Sequence, residues 1–242
     1  MSANLLIPSV DRRIAAFEEH NRKQRIKTSV MGQKDSSPST VTLSREFGCE
    51  AYPVAEILSG ILAKKTGVEW MVMDKALLEE VSRREHVSEE IIRSLGEKNR
   101  FLDEVLATFS PRWKTDRDRF RSLASLILSL ASDGNVIIVG RGAAIITAHL
   151  SNCRHYRLYA SDKFKNASIV RRMNISEDEA ADMIKKRQKE RDHFTMSFLG
   201  RDAHDSNYYD LCFNNDRNSA GKIAWTIARH LMFGVDDESN KK

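Results

Sequence analysis

The sequence is poor in the features that assign a protein quickly. Its three cysteines, Cys49, Cys153 and Cys212, lie far apart and form no CxxC pair. That argues against a disulfide framework or a cysteine-rich zinc site and fits reduced thiols in the cytoplasm. No run of about 18 uninterrupted apolar residues exists, so no transmembrane helix is expected. The opening stretch, MSANLLIPSVDRRIAAFEEH, breaks its short apolar run with charges and lacks the apolar region of a signal peptide. A cytoplasmic protein without membrane association is the resulting expectation. The seven histidines show no HExxH or paired-ligand spacing, so no catalytic metal site built from side chains is expected. No internal repeat is visible.

What is present is ordinary in bulk. The 242 residues, 41% hydrophobic and 30% charged, suit one substantial domain with an appendage. A net charge of +5 tolerates acidic partners such as nucleotides. The basic residues fall in separate clusters at 112–121, 171–172 and 185–191 rather than one block. Clusters converging on one site would suit a polyphosphate, although solvated helix faces explain any one of them alone. The stretch 112–121 lacks the aromatic interleaving of a nucleic-acid-binding segment, so nucleic acid is disfavoured as a partner.

Residues 11–26 have the spacing of a short amphipathic helix, and GQKDSSPST (32–40) is a polar linker. From Val41 the pattern alternates strand and helix. Strands are predicted at 41–44, 70–73, 136–140, 156–160 and 209–214. Helices are predicted at 54–67, 75–85, 88–98, 122–132, 143–150, 163–173, 176–191 and 220–233. Gly67 is a stop signal, Asp162 a cap, and Ser176 with Glu179 a capping box. VIIVG reads as a strand buried on both faces. The expected fold class is α/β, a three-layer fold of the P-loop NTPase type with a parallel sheet flanked by helices. Trp70 and Trp225 are expected in the core, and Asp210 and Asn214 in structural roles beside the last strand.

In such a sheet ligands bind outside the carboxyl ends of the strands. The first strand-to-helix turn reads Ser44-Arg45-Glu46-Phe47-Gly48-Cys49-Glu50-Ala51-Tyr52-Pro53. A P-loop there needs glycines, a Lys for the β/γ oxygens and a Ser/Thr hydroxyl for Mg²⁺. Only Gly48 is present; Ala51 stands for the Lys and Tyr52 for the Ser/Thr. Glu50 adds a negative charge where a polyphosphate would lie. Cys49, near a helix start, has no neighbouring His in sequence to make it a nucleophile.

SREFG after VTLS, MDKALLEEV, VIIVGRGA, LYA with its RR helix, KKRQKER and YYDLCFN occur in one order. Together they resemble the cytidylate kinase-like family of P-loop nucleoside monophosphate kinases, over 41–233. Residues 1–40 read as an N-terminal helical extension and linker, and the resemblance implies a kinase-like domain (41–233). Within that domain it implies a helical NMP-binding insert (about 75–121) and a lid (about 185–205), with a polar tail (234–242) behind. It implies donor-nucleotide contacts from Arg45, Gly48, Cys49, Glu50, Ala51, Tyr52 and Arg171. Arg141, in Gly140-Arg141-Gly142, would hold the acceptor's phosphate bidentately. Asp74 would contact the acceptor, though a helix N-cap explains it as well. Arg187 and Arg191, four apart on one helix face, would be the catalytic lid arginines that stabilise the transferring phosphoryl group. The family's loop reads SRE-(F/Y)-G-S-G-G-R, so Glu50 and Ala51 replace glycines here and Tyr52 replaces the Arg. The family's Asp after Gly-Arg is Gly142, which leaves the acceptor base open.

Two functions are therefore expected. One is an ATP-dependent nucleoside monophosphate kinase using Mg²⁺ with its ATP. The other is a degenerate kinase fold that senses a nucleotide or anion, or serves as a protein-interaction module. Residues 11–26 would be its contact surface for a partner or a second copy.

Overall fold

The computed structural model describes residues 9–19, 39–84 and 114–239. The helix predicted over 88–98, and with it much of the insert, lies outside the described residues. The elements are a helix over 10–19 (α1), β1 Thr40–Arg45, α2 Ala51–Thr66, β2 Met71–Met73 and α3 Lys75–Arg84. There follow α4 Lys114–Asp133, β3 Val136–Val139, α5 Ala143–Ile146, β4 Cys153–Tyr159, α6 Asp162–Met173 and α7 Glu177–Leu199. A 3₁₀ turn at Ser206–Tyr208, β5 Leu211–Asn214 and α8 Ala220–Ser239 complete the chain.

The five strands form one parallel sheet in the order β2-β3-β1-β4-β5, with β1 paired to β3 on one side and β4 on the other. Alternation along β3 shows why it carries four apolar residues in a row. Ile137 and Val139 enter the core with Val54, Leu58, Ile223 and Ile227 of α2 and α8. Val136 and Ile138 enter the opposite core with Leu77, Phe120, Ile127 and Leu199. Helices thus cover both faces, and the expected three-layer P-loop-type α/β architecture is the one found. Polar groups in the sheet are satisfied: Thr40 donates its hydroxyl to the Ala131 carbonyl (2.9 Å), and the Thr42 hydroxyl is hydrogen-bonded to His155 Nδ1 (2.8 Å).

Local signals are mostly obeyed. Gly67 ends α2 in the left-handed region (φ 68°), as a C-terminal glycine does. Ser176 and Glu179 form a complete capping box on α7. Three expectations need correction. The cap of α6 is Ser161, whose hydroxyl accepts the Phe164 N–H, and Asp162 is the first helical residue. The helix from Ser176 does not stop at Arg191 but runs to Leu199, because Phe194, Thr195 and Leu199 continue its inward face until Gly200. Trp225 is 53% exposed on the outer side of α8, whereas Trp70 is buried as expected. The α8 core face is already filled by Ile223, Ala224, Ile227 and Ala228, which leaves position 225 pointing away.

Helix α1 docks on the domain. Ile14 and Phe17 are buried among Met73, Leu77, Leu78 and Val81, so its apolar face meets the chain itself. No helix among the described residues is long and apolar enough to cross a membrane.

Candidate functional site

Strands β1, β3 and β4 end beside one another, and α7 crosses above those ends. Between them lies a cavity of about 350 Å³. Six cations face it: Arg45 closes β1, Arg141 follows β3, Arg157 belongs to β4, Lys75 opens α3, and Arg187 and Arg191 come from α7. Two carboxylates, Glu190 and Asp192, share the wall. The excess of positive charge in a recessed site favours a phosphate-bearing ligand.

Each cation is held by a local device. Arg45 extends across the end of β3, and a methyl group on Gly140 would overlap its guanidinium. Gly140 also has φ 81°, so glycine is required there twice over. Burial and the charge of Arg191 pull Arg45 down to about 9, which still leaves it a cation at neutral pH. Arg191 donates to the Arg45 carbonyl (3.0 Å) and lies over the Phe47 ring at 5.0 Å; burial lowers it to about 10. Arg141 takes a left-handed backbone (φ 57°), pairs with Glu79 and lies 4.6 Å over Phe194. Its Nε is buried without a hydrogen-bond partner. Arg187 pairs with Glu190 on the exposed side of α7 (2.9 Å).

Arg157, which the sequence reading did not single out, anchors a polar relay. It is 6% exposed, donates to the Ala203 carbonyl (2.6 Å) and bonds His204 Nδ1 (2.8 Å). Arginine only donates, so Nδ1 accepts and the His204 proton sits on Nε2, which faces Asp192 Oδ1 at 3.1 Å. The same Asp192 oxygen accepts from Gln188 Nε2 (2.7 Å), which turns Gln188 Oε1 to the N–H of Phe47 (2.8 Å). The first loop is thereby fastened to α7. An arginine inside a β-strand, in His-Tyr-Arg-Leu, was the one available signal for this group.

The loop itself is filled by protein. The N–H of Phe47 goes to Gln188, that of Cys49 to the Glu46 carbonyl (3.3 Å), and that of Glu50 to Asn215 Oδ1 (2.9 Å). Gly48 (φ 100°) lies against Lys165; an added Cβ would be 2.6 Å from the Lys165 Cβ. Lys165 Nζ in turn pairs with Glu46 (3.1 Å). The Glu50 carboxylate pairs with Arg171 and accepts from Ser168 (3.4 Å). Cys49 is buried, and burial together with Glu46 pushes its thiol up to about 12, which favours the neutral thiol. Ala51 is buried at the start of α2, and Tyr52 lies under Arg13 of α1 at 5.6 Å. Asp74 accepts the Leu77 N–H (3.0 Å) as the cap of α3 and pairs with Arg13 at 2.6 Å.

Of the residues singled out in the sequence, the structure brings Arg45, Arg141, Arg187 and Arg191 around one cavity. It sets Gly48, Cys49, Glu50, Ala51, Tyr52, Arg171 and Asp74 outside that lining. A Mg²⁺ held by protein side chains does not fit. Tyr52 stands where the hydroxyl ligand is needed, and among the described residues no group of three His, Cys, Asp or Glu converges.

A profile of the cytidylate kinase-like family matches residues 40–217. The chain belongs to the cytidylate kinase-like family. Membership makes it a kinase-like protein of nucleotide-binding type, and α1 lies outside the matched residues. Among solved structures, an uncharacterized protein from Eubacterium ventriosum ATCC 27560 is 22% identical, with 81% of this chain and 98% of that one covered at a TM-score of 0.61. It shares the fold. A shikimate kinase from Bacteroides thetaiotaomicron is 13% identical over 82% of this chain and 98% of its own, at a TM-score of 0.39, too loose to bear on the site. No curated protein matches the chain.

Proposed function

We propose that this cytidylate kinase-like protein binds a nucleoside monophosphate by its phosphate in the arginine cavity, as a ligand-binding module rather than a phosphotransferase. One contrast carries the reading. The cavity is lined by Arg45, Arg141 and Arg191, while the loop that would cradle a donor triphosphate has its Phe47, Cys49 and Glu50 amides taken by protein acceptors. A phosphate bound by that loop has to displace Gln188 and Asn215 and gains no Lys or hydroxyl in return. Gly142 leaves the base without the family's acidic contact, so the phosphate supplies most of the recognition.

The second reading is phosphoryl transfer from ATP to the bound nucleotide. It is favoured by Arg187 and Arg191, whose helix spans the cavity where a transferring group would lie. Its chemistry would be positioning and charge neutralisation, with any Mg²⁺ arriving on the nucleotide's own phosphates. Calorimetric titration with CMP, UMP, dCMP, AMP and ATP, beside a coupled assay of ATP consumption, separates the two. Binding of a monophosphate without ATP turnover is expected, with Arg141→Ala abolishing it. Turnover with any acceptor replaces the first reading by the second; a folded protein that binds none of the monophosphates overturns both.

A further inference from the structure

Helix α1 lies outside the residues matched to the family, yet its Arg13 pairs with Asp74, the neighbour in sequence of the cavity-lining Lys75. Ile14 and Phe17 fix it in the core at 3% and 2% exposure, and this anchorage sets Arg13 against Asp74. The pair is sheltered, with side chains 10% and 18% exposed and an N–O separation of 2.6 Å. Asp74 is held from behind by the Leu77 N–H, so its carboxylate has a fixed place at the end of β2. Arg45 approaches the same place from the other direction. It leaves β1, passes over Gly140 at the end of β3, and β3 is the strand beside β2. The charge of Asp74 acts on Arg45, yet Arg45 has no ion-pair partner of its own among the described residues. Asp74 thus lies within the reach of two charges, Arg13, which holds it, and Arg45, whose guanidinium sits at the end of the neighbouring strand.

We infer that Arg13 is a positioning residue for the cavity: by engaging Asp74 it keeps Arg45 free to bind the ligand's phosphate. Without Arg13 the Asp74 carboxylate is left half-buried and unpaired, a state that draws the nearest cation to it. Arg45 already feels the charge of Asp74, and a guanidinium neutralised by Asp74 is a poor phosphate donor. The extension before the family domain is on this account a functional part of the site and not a passive appendage. The inference rests on the phosphate-binding reading above.

The experiment uses the full chain, with inorganic phosphate and CMP as probes in calorimetric titrations. Arg13→Ala is expected to weaken both by about tenfold, a mid-range coupling for residues sharing one ion-pair network. Asp74→Asn added to Arg13→Ala removes the competing charge, while Asn can still cap α3. The double variant is expected to return to within about twofold of the parent, within the usual error of additive sites. Circular dichroism and thermal melting establish that each variant is folded. Unchanged affinity in Arg13→Ala overturns the inference alone. So does a loss that Asp74→Asn fails to rescue, which would mean that α1 acts only through packing. A folded parent protein that binds neither phosphate nor CMP overturns the inference together with the reading on which it rests.

Discussion

Arg45 and Gly140 show how one glycine can decide a site. The Arg45 guanidinium occupies the space that any side chain at position 140 would need, and φ 81° there is already unfavourable for an L residue. Gly140→Ala therefore adds backbone strain and a steric overlap. Together these are expected to cost about 1–3 kcal/mol in denaturant unfolding. The same change displaces Arg45, so phosphate affinity falls along with stability. Arg171 illustrates the opposite case. Its guanidinium pairs with Glu50 but is 64% exposed, so water screens most of the attraction. Arg171→Ala is expected to shift stability by less than about 0.5 kcal/mol and to leave phosphate affinity unchanged in the same titration. A large loss of affinity on that change would return Arg171 to the binding site.

At the scale of elements, the relation between the first loop and α7 governs access. Gln188 is oriented by Asp192, Asp192 by His204, and His204 by Arg157, so four groups from three segments hold a single acceptor on the Phe47 N–H. Gln188→Ala removes that acceptor and frees the loop from the helix. Amide exchange at Phe47 is expected to accelerate by about tenfold, equivalent to one net hydrogen bond, while exchange within β3 stays as it was. Equal acceleration in both places would show that the substitution destabilises the whole domain instead. The long course of α7 has the same origin. Its capping box fixes the start, and inward residues as far as Leu199 keep it helical past the arginines. Arg187 and Arg191 are consequently mid-helix groups with fixed positions, not residues of a separate loop.

For the molecule as a whole, acid sensitivity follows from two histidines, His155 within β4 and His149 in the turn after α5. Burial lowers the pKa of His155, with Arg154 adding to that effect and Asp210 opposing it; burial lowers His149 as well. Their neutral forms are favoured in the folded state, so the unfolded chain binds more protons below its own histidine pKa of about 6.5. Stability is therefore full above that pH and falls as the pH drops through the window beneath it. Asp133, raised by burial, acts in the opposite sense but only nearer the carboxylate range. Thermal melts between about pH 7.5 and 5.5 are expected to show the decline, and His155→Gln is expected to reduce its slope. A flat profile would mean that these imidazoles charge without cost. The legibility of the protein divides along the same lines. Alternation and breakers along the chain determine the kind and order of the described strands and helices, because VIIVG, Gly67 and the Ser176–Glu179 box act through neighbours a few residues away. The chain also displayed its missing Lys and hydroxyl directly, and Arg141, Arg187 and Arg191 as candidates. Other facts depend on side chains reaching partners 46 to 165 positions away. Arg157 as a site residue, Arg13 on Asp74 and Asn215 on the Glu50 amide were of this kind. No local period or spacing encodes such meetings. They arise when parallel strands bring their carboxyl ends together and each cation takes whichever partner the packing leaves within reach.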